Sequence, residues 1–222
     1  MPSIKQIRAA LLSSLLPVLL ALVLSSCKSN DGNDSTPPLL SVTPISLIGP
    51  YNLTTKTFGD ITFKYDRAFI PFGAPLTSST LNCGFEYYTT ATAIVRASCN
   101  GEIVYMFKNE GIDDWEIHIK SSQTARWGVQ HDHVSNPVVQ QGDQVRAGDV
   151  LGGTGRWNQS QNIGRTELVV TYSEGPGTDL SYCPMNYGTA EFVQGHNDLL
   201  AALNAHGFGP FASLCLAQTV TP

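Results

Sequence analysis

Residues 139–155 read VQQGDQVRAGDVLGGTG, and this stretch decides which fold the chain can adopt. A glycine followed by an aspartate occurs twice, at Gly142 and Gly148, and this pair is typical of tight turns. Val145 and the pair Val150 and Leu151 supply apolar side chains that we expect to fill a core. The stretch therefore predicts short strands joined by turns.

Further strand patterns lie on both sides of this stretch. Residues 115–120 (WEIHIK) alternate apolar and polar side chains, as a half-buried strand does. Residues 102–107 (EIVYMF) and 167–172 (ELVVTY) are rich in β-branched and aromatic side chains. One helix is predicted near the C-terminus, capped by Thr189 and ended by Gly207. We expect a mainly β protein, a sandwich or barrel, with a C-terminal helix.

The N-terminus has the pattern of a lipoprotein signal peptide. Lys5 and Arg8 precede an apolar stretch from Ala9 to Leu24, and residues 24–27 (LSSC) match a bacterial lipobox ending in Cys27. The stretch is short for a transmembrane helix, which needs about 20 apolar residues. We therefore expect the signal peptide to be cleaved off before Cys27, and Cys27 to carry the lipid. Ser29, two residues after the lipobox cysteine, favours the outer membrane of a double-membraned bacterium.

Composition narrows the classes of partner. Without residues 1–27 the chain keeps 11 basic and 18 acidic side chains, a net charge of −7 with histidine neutral. Nucleic-acid binding usually needs a basic face, so we exclude that class. Residues 28–46 are rich in Ser, Asn, Asp and Pro, and we expect them to form a flexible tether.

Four further cysteines follow Cys27. An even number in an exported domain predicts two disulfides with three possible connectivities. The pairs Cys83–Cys99 and Cys183–Cys215 are favoured because each closes a local unit. A zinc site is the alternative, but CxxC pairs, in which zinc cysteines usually come, do not occur in the sequence.

The glycine pattern, taken with three other motifs, resembles the lysostaphin/LytM-type peptidoglycan endopeptidases. Residues 82–86 (NCGFE) lie where that family has H-x-G-x-D, and residues 127–134 (WGVQHDHV) lie where it has Y-x-H-L. Residues 164–170 (GRTELVV) take the place of G-x-H-x-H-F-E-V. Biotinyl and lipoyl carriers share the hybrid motif, but they need a lysine in the hairpin between its halves. The last lysine here is Lys120, which excludes a carrier.

The resemblance implies a zinc site, but most of its ligand positions differ in this chain. The first histidine of the motif is Asn82, and the aspartate is Glu86. The H-x-H positions fall on Thr166 and Leu168, or on Arg165 and Glu167 if the strand register shifts by one residue. Histidine is absent from both alternatives.

His133 corresponds to the one histidine that is kept. His131 lies two residues before it, and on a regular strand the two imidazoles would share a face. Glu86 and Glu167 could then complete a rebuilt zinc site. The other interpretation is that both histidines line a polar groove without a metal. Aromatic residues that could also line this groove are Tyr87, Tyr88, Trp115, Trp127 and Trp157.

These observations predict four segments: a signal peptide at 1–27, a tether at 28–46, a LytM-like β domain at 47–181 and a disulfide-stapled helical segment at 182–222. The leading hypothesis is a catalytically inactive envelope lipoprotein, without a cofactor, that faces the periplasm and binds peptidoglycan or regulates a cell-wall hydrolase. One alternative is an active zinc endopeptidase with non-standard ligands. A structural lipoprotein that binds another envelope protein is the third possibility.

Overall fold

The computed structural model describes residues 35–158 and 160–222. The predicted signal peptide and Cys27 lie outside the described residues. Thirteen strands and one α-helix, α1 (Ala190–Ala205), are found in the described ranges, with a short 3₁₀ helix at Pro184–Tyr187. In chain order the strands are β1 (Thr57–Phe58), β2 (Ile61–Thr62), β3 (Phe69–Ile70), β4 (Phe85–Thr90), β5 (Ile94–Arg96), β6 (Gly101–Lys108), β7 (Trp115–Lys120), β8 (Trp127–Ser135), β9 (Gln144–Val145), β10 (Val150–Asn158), β11 (Ile163–Gly175), β12 (Thr178–Tyr182) and β13 (Thr219–Val220). The predicted mainly β fold with a C-terminal helix is confirmed.

The long strand β11 organises one curled antiparallel sheet. The strands follow the order β1-β2-β4-β11-β10-β8-β7-β6-β9, and β11 also pairs directly with β8 and β12. The first residues of β11 pair with β10, whereas residues from Glu167 to Tyr172 pair with β8. Because one strand pairs with two neighbours on the same side along its length, the sheet curls. The curl brings β4, β7 and β8 round a common polar face.

The opposite face of the sheet carries the core. Phe85, Ile117, Val129 and Leu168 alternate with polar residues along their strands and are completely buried. Helix α1 packs behind β4, where Tyr87 Oη lies 2.8 Å from His196 Nε2. The buried apolar area of these strands supplies most of the driving force for the fold.

The two Gly-Asp pairs form equivalent turns. Gly142 and Gly148 have φ values of 93° and 95°, in the left-handed region that glycine adopts without steric cost. In each turn the aspartate carboxylate accepts a hydrogen bond from the backbone N–H three residues earlier, at 2.9 Å and 2.8 Å. Val145 and Leu151 are buried as predicted, whereas Val150 is exposed.

The predicted C-terminal helix is present and is tied to the domain. Thr189 Oγ1 accepts a hydrogen bond from Phe192 N at 3.3 Å and caps α1. Cys183 and Cys215 form a disulfide across the helix, with a sequence separation of 32 residues. The segment after residue 181 is part of the main core, because Leu199 and Leu203 are buried in the same cluster as Phe85.

The expected disulfide between Cys83 and Cys99 is absent, and both cysteines are free. Burial and the charge of Glu167 raise the pKa of the Cys83 thiol to about 11. Cys83 and Cys99 both pack in the main hydrophobic cluster. However, β4, which follows Cys83, pairs with β2, β3 and β11, whereas β5, which precedes Cys99, pairs with β10. The predicted pairing is wrong because closeness in sequence does not determine which strands are neighbours in the sheet.

The expected tether is shorter than residues 28–46. Leu40 N donates to Tyr187 O at 2.8 Å, and Leu40 O accepts from Thr189 N at 2.8 Å. Leu40 and Ile45 are buried. The folded domain therefore includes residues from Leu40 onward, because these apolar side chains bury against the sheet and helix.

Helices of the described ranges are all too short or too polar to cross a membrane.

Candidate functional site

A row of carboxylates crosses three neighbouring strands on the polar face. Glu167 of β11 is the register partner of Glu86 on β4 and of Asp132 on β8. Side chains of directly opposed residues share a face of the sheet. The next row, Phe85, Leu168 and His131, therefore points into the core, where all three are completely buried.

A bulge in β8 adds His133 to this polar face. The register between β7 and β8 shifts between Ile117, opposite His131, and Trp115, opposite Val134. His133 has a φ of 56°, which is uncommon outside glycine and turns its side chain out of regular alternation. As a result, Asp132 and His133 lie together on the polar face.

The bulge separates the two histidines that a regular strand would place together. His131 lies in the core, and its Nε2 accepts a hydrogen bond from Ser98 N at 3.3 Å. Burial lowers the pKa of His131 to about 3, so the imidazole is neutral. The expectation that His131 and His133 share a face is wrong, because the extra residue of a bulge shifts the alternation.

His133 is surrounded by acidic side chains. Its Nδ1 lies 3.0 Å from Asp114 Oδ2, and its Nε2 lies 3.4 Å from Asp132 Oδ2 and 3.6 Å from Glu167 Oε1. Asn109 Nδ2 donates to Asp114 at 2.7 Å and to Asp132 at 2.9 Å, which holds the two carboxylates in place. Asp114 and Asn109 are not among the predicted site residues, because they precede β7 in a segment whose sequence is typical of a polar turn.

The structure settles the strand register of β11. Arg165 is opposite Tyr88 and Glu167 is opposite Glu86, so Arg165 and Glu167 take the polar face. Thr166 is buried on the other side, and its Oγ1 donates to Asp132 O at 2.8 Å. Of the two sets considered for the H-x-H positions, the set on the polar face is Arg165 and Glu167.

Arg165 lies in the middle of the polar face. Its Nη1 lies 3.4 Å from Glu86 Oε1, and its Nη2 contacts His133 Nε2. The guanidinium lies 4.8 Å from the ring centroid of Trp157, whose indole packs edge-on against Tyr88 at 5.5 Å. The guanidinium is therefore held by the carboxylate of Glu86 and the ring of Trp157, and it lies against His133.

Asn82 takes no part in this group. Its Nδ2 donates to the backbone carbonyls of Ile70, Pro71 and Gly84, at 3.1, 3.2 and 2.8 Å. The side chain is buried and holds the loop before β4. Its amide therefore has a structural role. Three of the aromatic candidates also lie elsewhere. Tyr87 packs under α1, Trp127 packs against Tyr172, and Trp115 packs against the main core cluster.

The carboxylates set the protonation of the site. Burial lowers the pKa of His133, but hydrogen bonds to Asp114 and Glu167 and the charge of Asp132 outweigh it and raise the pKa to about 9. Burial and the charge of Glu167 raise the pKa of Glu86, and burial raises that of Asp132. Burial also acts to raise the pKa of Asp114, but the hydrogen bonds from His133 and Asn109 lower it overall.

These residues do not fit the catalytic zinc centre that the resemblance implies. Ligand atoms of Asp114, Asp132 and His133 do lie within 4.8 Å of one another. However, Nδ1 of His133 is engaged by Asp114, and its Nε2 is covered by the guanidinium of Arg165. A metal-binding imidazole must offer a free nitrogen lone pair, but the raised pKa of His133 keeps both of its nitrogens protonated at neutral pH, and the guanidinium occupies the space beside Nε2. His131 cannot replace it, because its ring lies in the core.

Comparison with known proteins yields matches among solved structures. Protein-family models and curated proteins give no match to this sequence. Csd3 from Helicobacter pylori matches with 17% identity and a TM-score of 0.44, over 69% of this chain and 34% of Csd3. Lysostaphin from Staphylococcus simulans, described as an antimicrobial peptidase, matches with 17% identity and a TM-score of 0.43, over 67% of this chain and 53% of lysostaphin.

A third similar structure is a chain of the SpoIIQ–SpoIIIAH pore-forming complex, with 12% identity and a TM-score of 0.42, over 72% of this chain and 98% of that one. The chain thus spans about a third of Csd3 and about half of lysostaphin. These similarities concern the fold alone, at identities of 12% and 17%.

Proposed function

We propose that this chain is a lipid-anchored envelope protein whose polar face binds peptidoglycan peptides without cleaving them. The observation that carries the proposal is the position of Arg165, whose guanidinium contacts His133 and Glu86 in the middle of that face. A metal-activated water is the nucleophile of zinc peptidases, and it needs a metal with an open coordination position. A site built round a fixed guanidinium has no such position, so binding is the function left to it.

The chemistry of the face suits wall peptides. Peptide stems of peptidoglycan carry free amino groups, which the carboxylates of Asp132 and Glu167 can bind. Trp157 is 41% exposed beside these acids and offers a flat surface for apolar parts of a peptide or for a sugar ring. Regulation of a wall hydrolase through the same face would use the same side chains.

Anchoring through Cys27 would keep the domain near its ligand. The lipobox at residues 24–27 supports lipidation, and Ser29 supports sorting to the outer membrane. Labelling of cells with a radioactive fatty acid would check the anchor. We expect label on the wild-type chain and none on Cys27→Ala.

The central experiment is co-sedimentation of the full chain, in detergent, with purified peptidoglycan. We expect wild-type protein to sediment and Trp157→Ala to lose at least ~10-fold in affinity, which is the size of a central aromatic contact. Phe107→Ala is the matched control, since Phe107 is 43% exposed on β6 and lies outside the site. Equal retention of Trp157→Ala and wild type would place binding elsewhere, and no retention of wild type above denatured protein would reject the proposal.

A zinc peptidase is the second candidate, because ligand atoms of Asp114, Asp132 and His133 lie close together. The same peptidoglycan, incubated with the protein and zinc, distinguishes the two functions. Release of amino groups that a chelator abolishes and that His133→Ala lacks would establish the enzyme. We expect none above the buffer control. If the protein neither binds nor cleaves peptidoglycan but alters the rate of a purified wall hydrolase, a regulatory role is indicated.

A further inference from the structure

The most informative group on the polar face consists of Arg165 and the acidic side chains around it. Four carboxylates surround His133 and Arg165, namely those of Glu86, Asp114, Asp132 and Glu167. Two of these side chains are poorly hydrated, since Glu86 and Asp114 are buried. Four acids at such short range repel one another and require a cation among them.

Arg165 supplies a permanent cation from within the chain, beside the imidazolium of His133. Its two terminal nitrogens point at different partners, Nη1 at Glu86 and Nη2 at His133. Trp157 covers the guanidinium from one side at 4.8 Å. Glu86 and Trp157 therefore hold the guanidinium over His133.

The same arrangement leaves a set of potential metal ligands beneath the arginine. Asp114, Asp132 and His133 place one ligand atom each within 4.8 Å of one another, and two carboxylates with one imidazole suit Zn²⁺ or Mn²⁺. Asn109 bonds both aspartates and would orient them, as outer hydrogen bonds do in metal sites. Nε2 of His133 is the nitrogen not bonded to Asp114, and it is the one that Arg165 contacts.

We propose that Arg165 is a built-in counter-ion that occupies the place of a metal and excludes divalent cations from a latent site formed by Asp114, Asp132 and His133. The wild-type chain is then independent of metal, and its polar face keeps its shape in an environment poor in zinc. Loss of the guanidinium uncovers Nε2 of His133 and leaves the four carboxylates with the His133 imidazolium as their one cation, whose proton a divalent ion displaces on binding. The chain without it takes up one divalent ion. The inference rests on the same position of Arg165 as the proposed function, but it concerns metal binding, so its test is separate from the test of peptidoglycan binding.

The test measures zinc and manganese binding to the full chain in detergent, by calorimetry and by elemental analysis after dialysis. We expect no stoichiometric metal in wild type and about one equivalent in Arg165→Ala, with an affinity at least ~100-fold higher than in wild type. Arg156→Ala is the matched control, because Arg156 is exposed on β10 and its removal changes the net charge equally. It should bind like wild type. Adding His133→Ala to Arg165→Ala should abolish the new binding.

Several results would overturn the inference. One is a wild-type chain that binds one zinc ion, since Arg165 would then exclude nothing. Another is a folded Arg165→Ala that binds neither metal. If Arg165→Ala does not fold in buffer, we expect zinc or manganese to restore its circular dichroism spectrum, and failure of both to do so also overturns the inference. Arg165→Lys separates charge from shape, because an ammonium at this position should still keep metal out.

Discussion

His133 Nδ1 lies 3.0 Å from Asp114 Oδ2, although the two residues are 19 positions apart and Asp114 precedes β7 while His133 lies in the bulge of β8. The hydrogen bond couples the bulge to the start of β7. It also determines which nitrogen of His133 points to Arg165. The contact between His133 and Arg165 thus depends on the bulge in β8.

Replacing Asp114 by asparagine should destabilise the protein by about 1–3 kcal/mol, because the buried His133 loses its charged partner. Asp113→Asn is the neighbouring control. Its carboxylate is exposed and pairs with Lys108 at 3.0 Å on the surface, so the change should be below ~0.5 kcal/mol. Urea unfolding followed by fluorescence measures both. Equal effects at the two positions would show that the buried pair does not support the bulge.

Stability should fall in mildly acidic solution because of two buried neutral histidines. Burial lowers the pKa of His131 to about 3 and that of His196 to about 4, from the usual 6.5. The unfolded chain binds protons at these positions below about pH 6.5, whereas the folded chain does not. Their contribution to the free energy of unfolding is therefore complete above pH 6.5 and is lost as the pH falls. The loss is about 2 kcal/mol for each histidine at pH 5.

The contribution of His133 to stability depends on pH with the opposite sign. Its pKa is raised to about 9, so its contribution is complete below pH 6.5 and is lost as the pH rises through 9. In urea unfolding between pH 5 and 10, the free energy of unfolding should have its maximum between pH 6.5 and 9. His131→Gln, which keeps an acceptor for Ser98 N, should flatten the acidic side of the curve, and His206→Gln, at an exposed position, should not. An acidic side unchanged by His131→Gln would contradict the assignment.

The disulfide should contribute substantially to stability. Cys183–Cys215 closes a loop with a sequence separation of 32 residues, for which the chain-entropy estimate is about 3.5–4 kcal/mol. We expect the double variant Cys183→Ser, Cys215→Ser to lose about this much in urea unfolding. A reducing agent should lower the stability of wild type to the same level and have no effect on the double variant. Cys83→Ser is the control, since Cys83 is free, and it should respond to the reducing agent as wild type does.

Two glycines should respond to alanine with opposite signs. A methyl group at Gly155 would collide with Asp114 and with His133, so Gly155→Ala should destabilise the protein by about 1–3 kcal/mol. Gly195 lies within α1, where a methyl group would meet Thr43 at 3.6 Å, an ordinary contact. Gly195→Ala should stabilise the protein by about 0.5–1 kcal/mol. Thermal unfolding of both variants checks the signs, and destabilisation of Gly195→Ala would contradict the packing described for the helix.

Much of the fold could be predicted, because local patterns report on local structure. The Gly142 and Gly148 turns, the alternation along β7 and the Thr189 cap each depend on residues a few positions apart. Residues 40–46 are wrongly predicted to be part of the tether, because the polar residues before them obscure the pattern although Leu40 and Ile45 are buried. The predicted pairing of Cys83 with Cys99 is wrong for a related reason, because nothing in the local sequence shows that β4 and β5, the strands beside these cysteines, are not neighbours in the sheet.

The sequence by itself determined the turns, the strands, the capped helix and the departure from the zinc motif at Asn82. Only the tertiary structure decided the site. Strand register placed Arg165 and Glu167, rather than Thr166, on the polar face, and the bulge at His133 separated His133 from His131. Register and bulges arise from pairing between distant strands, where a shift of one residue reverses every side chain. For that reason the contact between Arg165 and His133, on which both proposals depend, is visible only in the folded chain.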